Sequence, residues 1–232
     1  SYLSDDVWVE NESYRAFTKD GGCVYRLPEA KEALEFYKRV YEDISPKDSV
    51  SWGFTEMVQG FMSGTCAILI QDNDVIATIE DGLDPELWGV GNIPIGTSGF
   101  GTQTAGYGGW AMTAKTQYPE ETAKFIKFLS NAENNGYFCR QNGLIPIHTT
   151  SIEQDEYFSS GAYTIFNKMN DLGCYRIFNN LGIGYDITAT FNNDRDEYLQ
   201  KYLLGEVDAD TLLDYWASQW EKAVADQGKL WE

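Results

Sequence analysis

The chain has 232 residues, 36 of them acidic against 17 basic, for a net charge of −19. That balance offers no basic footprint for a phosphate backbone or for an anionic membrane surface, so neither nucleic acid nor membrane docking is expected. Hydrophobic residues make up 43% of the chain, enough for a globular core, and no apolar run is long enough to cross a bilayer.

In chain order, residues 1–27 are irregular, with a turn at KDGG (19–22) and room for one or two short strands. The opening SYLSDDVWVENESY is polar and lacks Met, which reads as an internal starting point within a longer protein. PEAKEALEFYKRVYED (28–43) predicts a helix. Pro28 suits its first turn, Glu29 faces the positive end of the dipole, and Ala33, Leu34, Tyr37, Val40 and Tyr41 share one face. A loop, ISPKDSVSWGF (44–54), leads to a second helix over 55–64, with Thr55 at its N-cap and Gly64 as its stop. CAILIQ (66–71) reads as a buried strand and DNDVIATIEDGL (72–83) as a short helix that opens with acids. WGVGNIPIG (88–96) predicts a strand ending in a Pro/Gly turn, 97–109 a glycine-rich loop, and WAMTAK (110–115) another strand. The loop has neither GxGxxG nor the lysine of a phosphate-binding loop.

The remainder is mostly helical. Residues 119–143 predict two helices with a break near Asn131 and a stop at Gly143, and 151–171 predict further helical segments. A less regular stretch precedes helices over 193–205 and 208–227, the last with a core stripe of Leu212, Tyr215, Trp216 and Trp220. Helices interleaved with short buried strands make the class α/β, in which ligands settle beyond strand ends.

Chemistry-bearing residues are few. Cys23, Cys66, Cys139 and Cys174 have no CxxC spacing, and the lone His148 argues against a histidine metal site, so no metal and no cofactor is expected. No GxSxG elbow is present. Asp72 and Asp74, flanking Asn73, are the best acid pair for a glycosidase, with a solvated acid cluster as the plain alternative. A binding role fits better. Aromatic residues make up 15% of the chain; their rings can stack on a pyranose while planar polar groups hold its hydroxyls. QDND supplies Asp72, Asn73 and Asp74 at a strand end; YGGW supplies Tyr107, Gly108, Gly109 and Trp110; SVSWGF supplies Trp52 and Phe54. Glycines inside a strand weaken it, so Gly108 and Gly109 mark either a bulge, with Trp110 in the core, or backbone left open to a ligand.

These stretches come one after another in a familiar order. FMSGTCAILIQDND resembles the F-x-x-G-x-x-A-[IM] segment of extracellular solute-binding proteins of ABC transporters, the carbohydrate-binding kind related to maltose-binding protein. WGVGNIPIG, GYGGWAM, PEETAKFIKFLSNAENN, NGLIPIH and YLLGEVDADTLLDYWASQW are similar to later segments of that family, over most of residues 28–225. The resemblance implies a periplasmic-binding-protein-like II fold with two lobes and a ligand cleft, of which this chain holds the C-terminal part. Residues 1–88 would belong to the second lobe, 89–149 would cross to the first, and 150–232 would return. It implies no enzyme activity, but capture of a carbohydrate, an oligosaccharide, outside the cell and delivery to ABC permease subunits. It further implies an extracytoplasmic location, with a lipid anchor on a preceding segment. Asp72, Asn73, Asp74, Gly108, Gly109 and Trp110 fall on its cleft-lining segments; where maltose-binding protein has a stacking Trp, this chain has Asp74. The same fold serving a polyamine or a polyol phosphate is the alternative, the latter calling on Arg176 as the nominated basic residue.

Overall fold

The computed structural model describes residues 22–94, 96, 103–105, 108–171, 175–177 and 185–227. In chain order its helices and strands are α1 (Pro28–Ile44), α2 (Phe54–Met62), α3 (Ile76–Gly82), β1 (Gln103–Ala105), α4 (Pro119–Leu129), α5 (Ala132–Gln141), α6 (Thr149–Gln154), α7 (Glu156–Ser159), α8 (Tyr163–Asp171), β2 (Tyr175–Ile177), α9 (Tyr185–Leu203) and α10 (Ala209–Gln227). Short 3-10 turns sit at Val24–Arg26, Lys47–Ser51, Asn73–Val75 and Pro85–Leu87. The contacts divide the chain into two compact units, one of residues 1–53, 93–106 and 175–232, the other of 54–92 and 107–174.

The first unit is built on α10. Leu212, Leu213, Trp216, Ala217 and Trp220 recur at helical spacing and are buried, with Leu212 and Ala217 fully so. They pack with Leu34 of α1, Tyr202 and Leu203 of α9, and Cys23. Tyr215 completes the stripe from the side, its ring stacked on Tyr198 of α9 at 3.8 Å. Both helix ends carry their expected chemistry. The Asp208 carboxylate accepts from the Thr211 amide ahead of α10. After α9, Gly205 turns with φ +79, and the Glu206 amide donates back to the Lys201 carbonyl. Arg26 ties the preceding turn to α10 through both carboxylate oxygens of Glu221, at 2.6 and 2.8 Å, and through Asp214 at 2.7 Å. Burial pushes the Cys23 thiol up to about 11, an inert thiol in a core. β1 and β2 pair in parallel in this unit, Thr104 opposite Arg176.

The second unit has two small cores. Val58, Val75 and Ile79 form one; Ile76, Cys139, Phe158 and Tyr163 form the other, and Trp88 packs against both. Arg140 pairs with Asp155 and lies over the Tyr157 ring at 4.4 Å. His148 sits ahead of α6 and reaches the Ser130 carbonyl with its Nε2 at 2.7 Å, a structural tie between neighbouring segments.

Several expectations are corrected. No strand forms at 66–71, at the described part of 88–96, or at 110–115. These segments have no partner strand among the described residues, and strand geometry without a ladder leaves amides and carbonyls unpaired. Sheet structure among the described residues is limited to the β1–β2 pair, so the α/β class shows itself here as a helix-rich chain. α9 begins at Tyr185, ahead of the predicted 193. Tyr37 is exposed, although its spacing placed it on the buried face of α1. In the second unit Ile76, Cys139 and Phe158, from three separate stretches of chain, share one core. Residues 19–21 of the KDGG stretch and Cys174 lie outside the described residues.

Leu212→Ala removes a fully buried side chain from the core of the first unit. It is expected to cost about 2–5 kcal/mol, read from the midpoint of urea unfolding followed by Trp fluorescence.

Candidate ligand-binding site

In the second unit, Asp72 is the extended residue ahead of the Asn73–Val75 turn, and the next residues are anchored in the cores through Val75, Ile76 and Ile79. This puts Asp72 and Asp74 outside, both exposed, with Asn73 half-buried between them. The Asn73 amide is committed: its Nδ2 donates to the Gly143 carbonyl at 2.7 Å. Gly143 is buried at φ +67, and a Cβ there would lie 3.0 Å from the carbonyl oxygens of both Asn73 and Asp74. Only glycine allows both that backbone angle and that approach. The acidic loop is therefore held from beneath by the turn after α5, a contact between residues 70 positions apart. Burial, and next the charge of Asp72, holds the Asp74 carboxyl above the usual carboxylate range. For a raised acid, the favourable contribution to stability is present at low pH and is lost as pH rises through the raised value. Because Asp74 is exposed, solvent screens this contribution.

Gly108, Gly109 and Trp110 are exposed. Neither glycine has φ in the left-handed region, and a Cβ at either would meet nothing within 4 Å. The bulge is not formed, and the backbone lies open. Trp110 is 50% exposed, with its ring edge-on to Phe138 of α5 at 5.7 Å and 65°. Trp110 is thus a braced surface ring and not a core residue. Phe138 was not singled out by the sequence; it lies in GYFCRQNG, whose aromatic pair reads as ordinary helix. Gly143 was read as a helix stop, and its support of the acidic loop needed tertiary structure.

The other nominated residues are dispersed. Phe54 opens α2 in the second unit and is 51% exposed. Trp52 is half-buried in the first unit, directly after the Lys47–Ser51 turn. Arg176 lies in β2 of the first unit. Tyr107 falls outside the described residues. Among the described residues, no hydrogen bond or ring contact joins 72–74 to Trp110, and no group of three or more His, Cys, Asp or Glu is gathered to hold a metal ion. No helix among the described residues is long and apolar enough to cross a membrane.

Solved structures share this fold. A proposed oligosaccharide periplasmic-binding protein of Synechococcus sp. MITs9220 superposes with a TM-score of 0.65 at 17% identity, covering 98% of this chain and 61% of that one. A zinc complex of a protein so described, from the same organism, gives 0.64 at 16% identity, covering 91% and 55%. The sugar-binding protein MalE of Xanthomonas citri gives 0.68 at 15% identity, covering 97% and 54%. At such identities the likeness concerns the fold, and the chain spans little more than half the length of these proteins. A comparison with curated proteins finds no match. The family model for bacterial extracellular solute-binding proteins matches residues 4–164. The chain belongs to that family.

Two substitutions test the geometry. Gly143→Ala is expected to destabilise the protein by about 1–3 kcal/mol, through backbone strain and contact with the 73–74 carbonyls, as measured by thermal unfolding. Asp72→Asn is expected to lower the Asp74 titration midpoint in carboxylate NMR, yet to leave it above the ordinary range, because burial is the larger cause.

Proposed function

We propose that this chain is part of a longer, two-lobed extracytoplasmic protein that binds a carbohydrate, an oligosaccharide, and delivers it to the permease subunits of an ABC transporter. The observation that carries the reading within this family is the pairing of open Gly108–Gly109 backbone with the braced, half-exposed ring of Trp110. A pyranose offers an apolar face for such a ring, and its hydroxyls suit open amides and the carboxylates of Asp72 and Asp74. Within the second unit Asn73 positions the acidic loop, and Phe54 and Tyr107 are further candidates for ligand contact. The family's extracellular placement supports a location outside the cytoplasm, with a lipid anchor on a further segment of chain as part of the proposal.

A second ligand class, a polyamine, is favoured by one observation, the mutual proximity of Asp72 and Asp74 that helps hold the Asp74 proton. The same pair serving a glycosidase has less support, since the family is one of binding proteins.

The test is a thermal-shift series on the longer protein with oligosaccharides, polyamines and phosphorylated polyols. A ligand at one hundred times its Kd adds about 2.7 kcal/mol to native stability, a rise in melting temperature of about 3 °C for a protein of the relatives' length. Because Trp110 is half exposed, Trp110→Ala is expected to leave the unliganded melting temperature nearly unchanged and to abolish the oligosaccharide shift. A shift with polyamines alone moves the ligand to the second class, and no shift with any of them refutes the site.

A further inference from the structure

In the first unit, the turns of α1 that carry Lys31, Glu35 and Lys38 face residues 205–210, the turn from α9 to α10, across an open groove of about 470 Å3. Small-molecule sites have volumes of this order. Two lysines there face four carboxylates, those of Glu35, Glu206, Asp208 and Asp210. The side-chain donors are spent. Lys31 pairs with Asp210 at 2.7 Å. Lys38 donates to the Tyr202 carbonyl at 3.0 Å, near the end of α9, and lies 4.9 Å from the centre of the Tyr202 ring. The first turn of α10, which would draw an anion, already carries Asp210, and the Asp208 carboxylate ahead of it accepts from the Thr211 amide at 2.8 Å.

The acceptors are unspent. Glu35 and Glu206 are exposed, and neither carboxylate makes a hydrogen bond or ion pair among the described residues. Tyr202 lines the groove with only 4% of its surface exposed, and its hydroxyl has no hydrogen-bond partner among the described residues. A nearly buried hydroxyl without a partner is unfavourable, and a ligand in the groove would supply one. Burial, and next the charges of Glu35 and Glu42, push this phenol up, which sets the hydroxyl toward the α1 side of the groove. The acids likewise hold the Lys31 ammonium above its ordinary range, Asp210 first and then Glu35 and Asp208. We propose that this groove is a further binding site, for a small organic cation with a primary ammonium or guanidinium group, held between the carboxylates of Glu35 and Glu206 while the Tyr202 hydroxyl oxygen accepts one of its N–H groups. A metal ion does not suit it, since no three His, Cys, Asp or Glu side chains among the described residues gather to coordinate one. The site shares no residue with the candidate contacts of the second unit and does not depend on what binds there.

The experiment titrates agmatine, which carries a guanidinium and a primary ammonium, into the longer protein and follows backbone-amide NMR shifts; magnesium chloride is titrated separately. Sodium chloride at about 0.15 M screens diffuse attraction to the acidic surface. Saturable shifts are expected at residues 31–38 and 204–210, with a Kd below about 1 mM. Glu35→Gln and Glu206→Gln are each expected to weaken binding about threefold or more. Because both residues are exposed, the melting temperature should stay within about 2 °C of the parent's. Tyr202→Phe keeps the buried ring and is expected to weaken binding about twofold or more. Glu32→Gln, on α1 but outside the groove, should leave it unchanged. Three results would overturn the proposal: no saturable shift with agmatine; the same shifts with magnesium, or undiminished shifts in both glutamine variants, which mark diffuse screening; or saturable shifts confined to 72–74, which give the amine to the acidic loop of the second unit. Trp110→Ala, which tests the oligosaccharide reading, should move none of these shifts, so the two readings fail separately.

Discussion

A backbone amide or carbonyl removed from water needs a hydrogen-bond partner, and much of this structure depends on where partners are found. Helices satisfy the requirement locally, so α1, α9 and α10 form where the sequence has helical spacing and caps. Strands satisfy it only through a neighbour. Where two stretches meet, at Gln103–Ala105 and Tyr175–Ile177, a parallel ladder forms. Where no neighbour exists among the described residues, at 66–71 and 110–115, the stretches stay outside a ladder and Ile68, Ile70 and Trp110 remain exposed.

Within that constraint, each unit organises around a different kind of contact. The first relies on apolar burial along one face of α10, reinforced at the rim by the two-pronged Arg26–Glu221 pair. Its polar links are exposed, and the energetic weight lies with the buried rings and leucines. The second unit is stitched by specific polar contacts over smaller cores: Asn73 to Gly143, His148 to Ser130, Arg140 to Asp155. The acidic loop belongs to this stitching. Its position depends on Gly143, since any side chain there would press on the loop's own carbonyls.

That arrangement separates scaffold from candidate ligand contacts. Asn73 spends its amide on holding the loop, which leaves Asp72 and Asp74 facing solvent. Phe138 braces Trp110 from the edge, which leaves the ring half open beside glycines that crowd nothing. A binding protein needs groups whose hydrogen-bonding and stacking capacity is not consumed by the fold, and these are the residues that retain it. Family membership, carried by the match over 4–164, supplies the class of function; the exposed side chains supply the candidates for its chemistry.

The sequence by itself determined most of the helices and the family, but not every cap: α2 starts at Phe54, so Thr55 lies inside the helix and not at its N-cap. Pro28, Asn131, Gly143 and Gly205 act where local rules put them, and Leu212, Trp216 and Trp220 are buried as their spacing requires. It also marked Asp72–Asp74 and Gly108–Trp110 as unusual, because acids at an element's start and glycines between large rings are local signals. Helical order and turn chemistry depend on residues within a few positions of each other, so they are legible along the chain. Only the tertiary structure decided that Ile76, Cys139 and Phe158 share a core, that Gly143 supports the acidic loop, and that Phe138 meets Trp110. The same holds for the absent strands at 66–71 and 110–115, since a strand is a property of two segments and its partner cannot be read from its own residues.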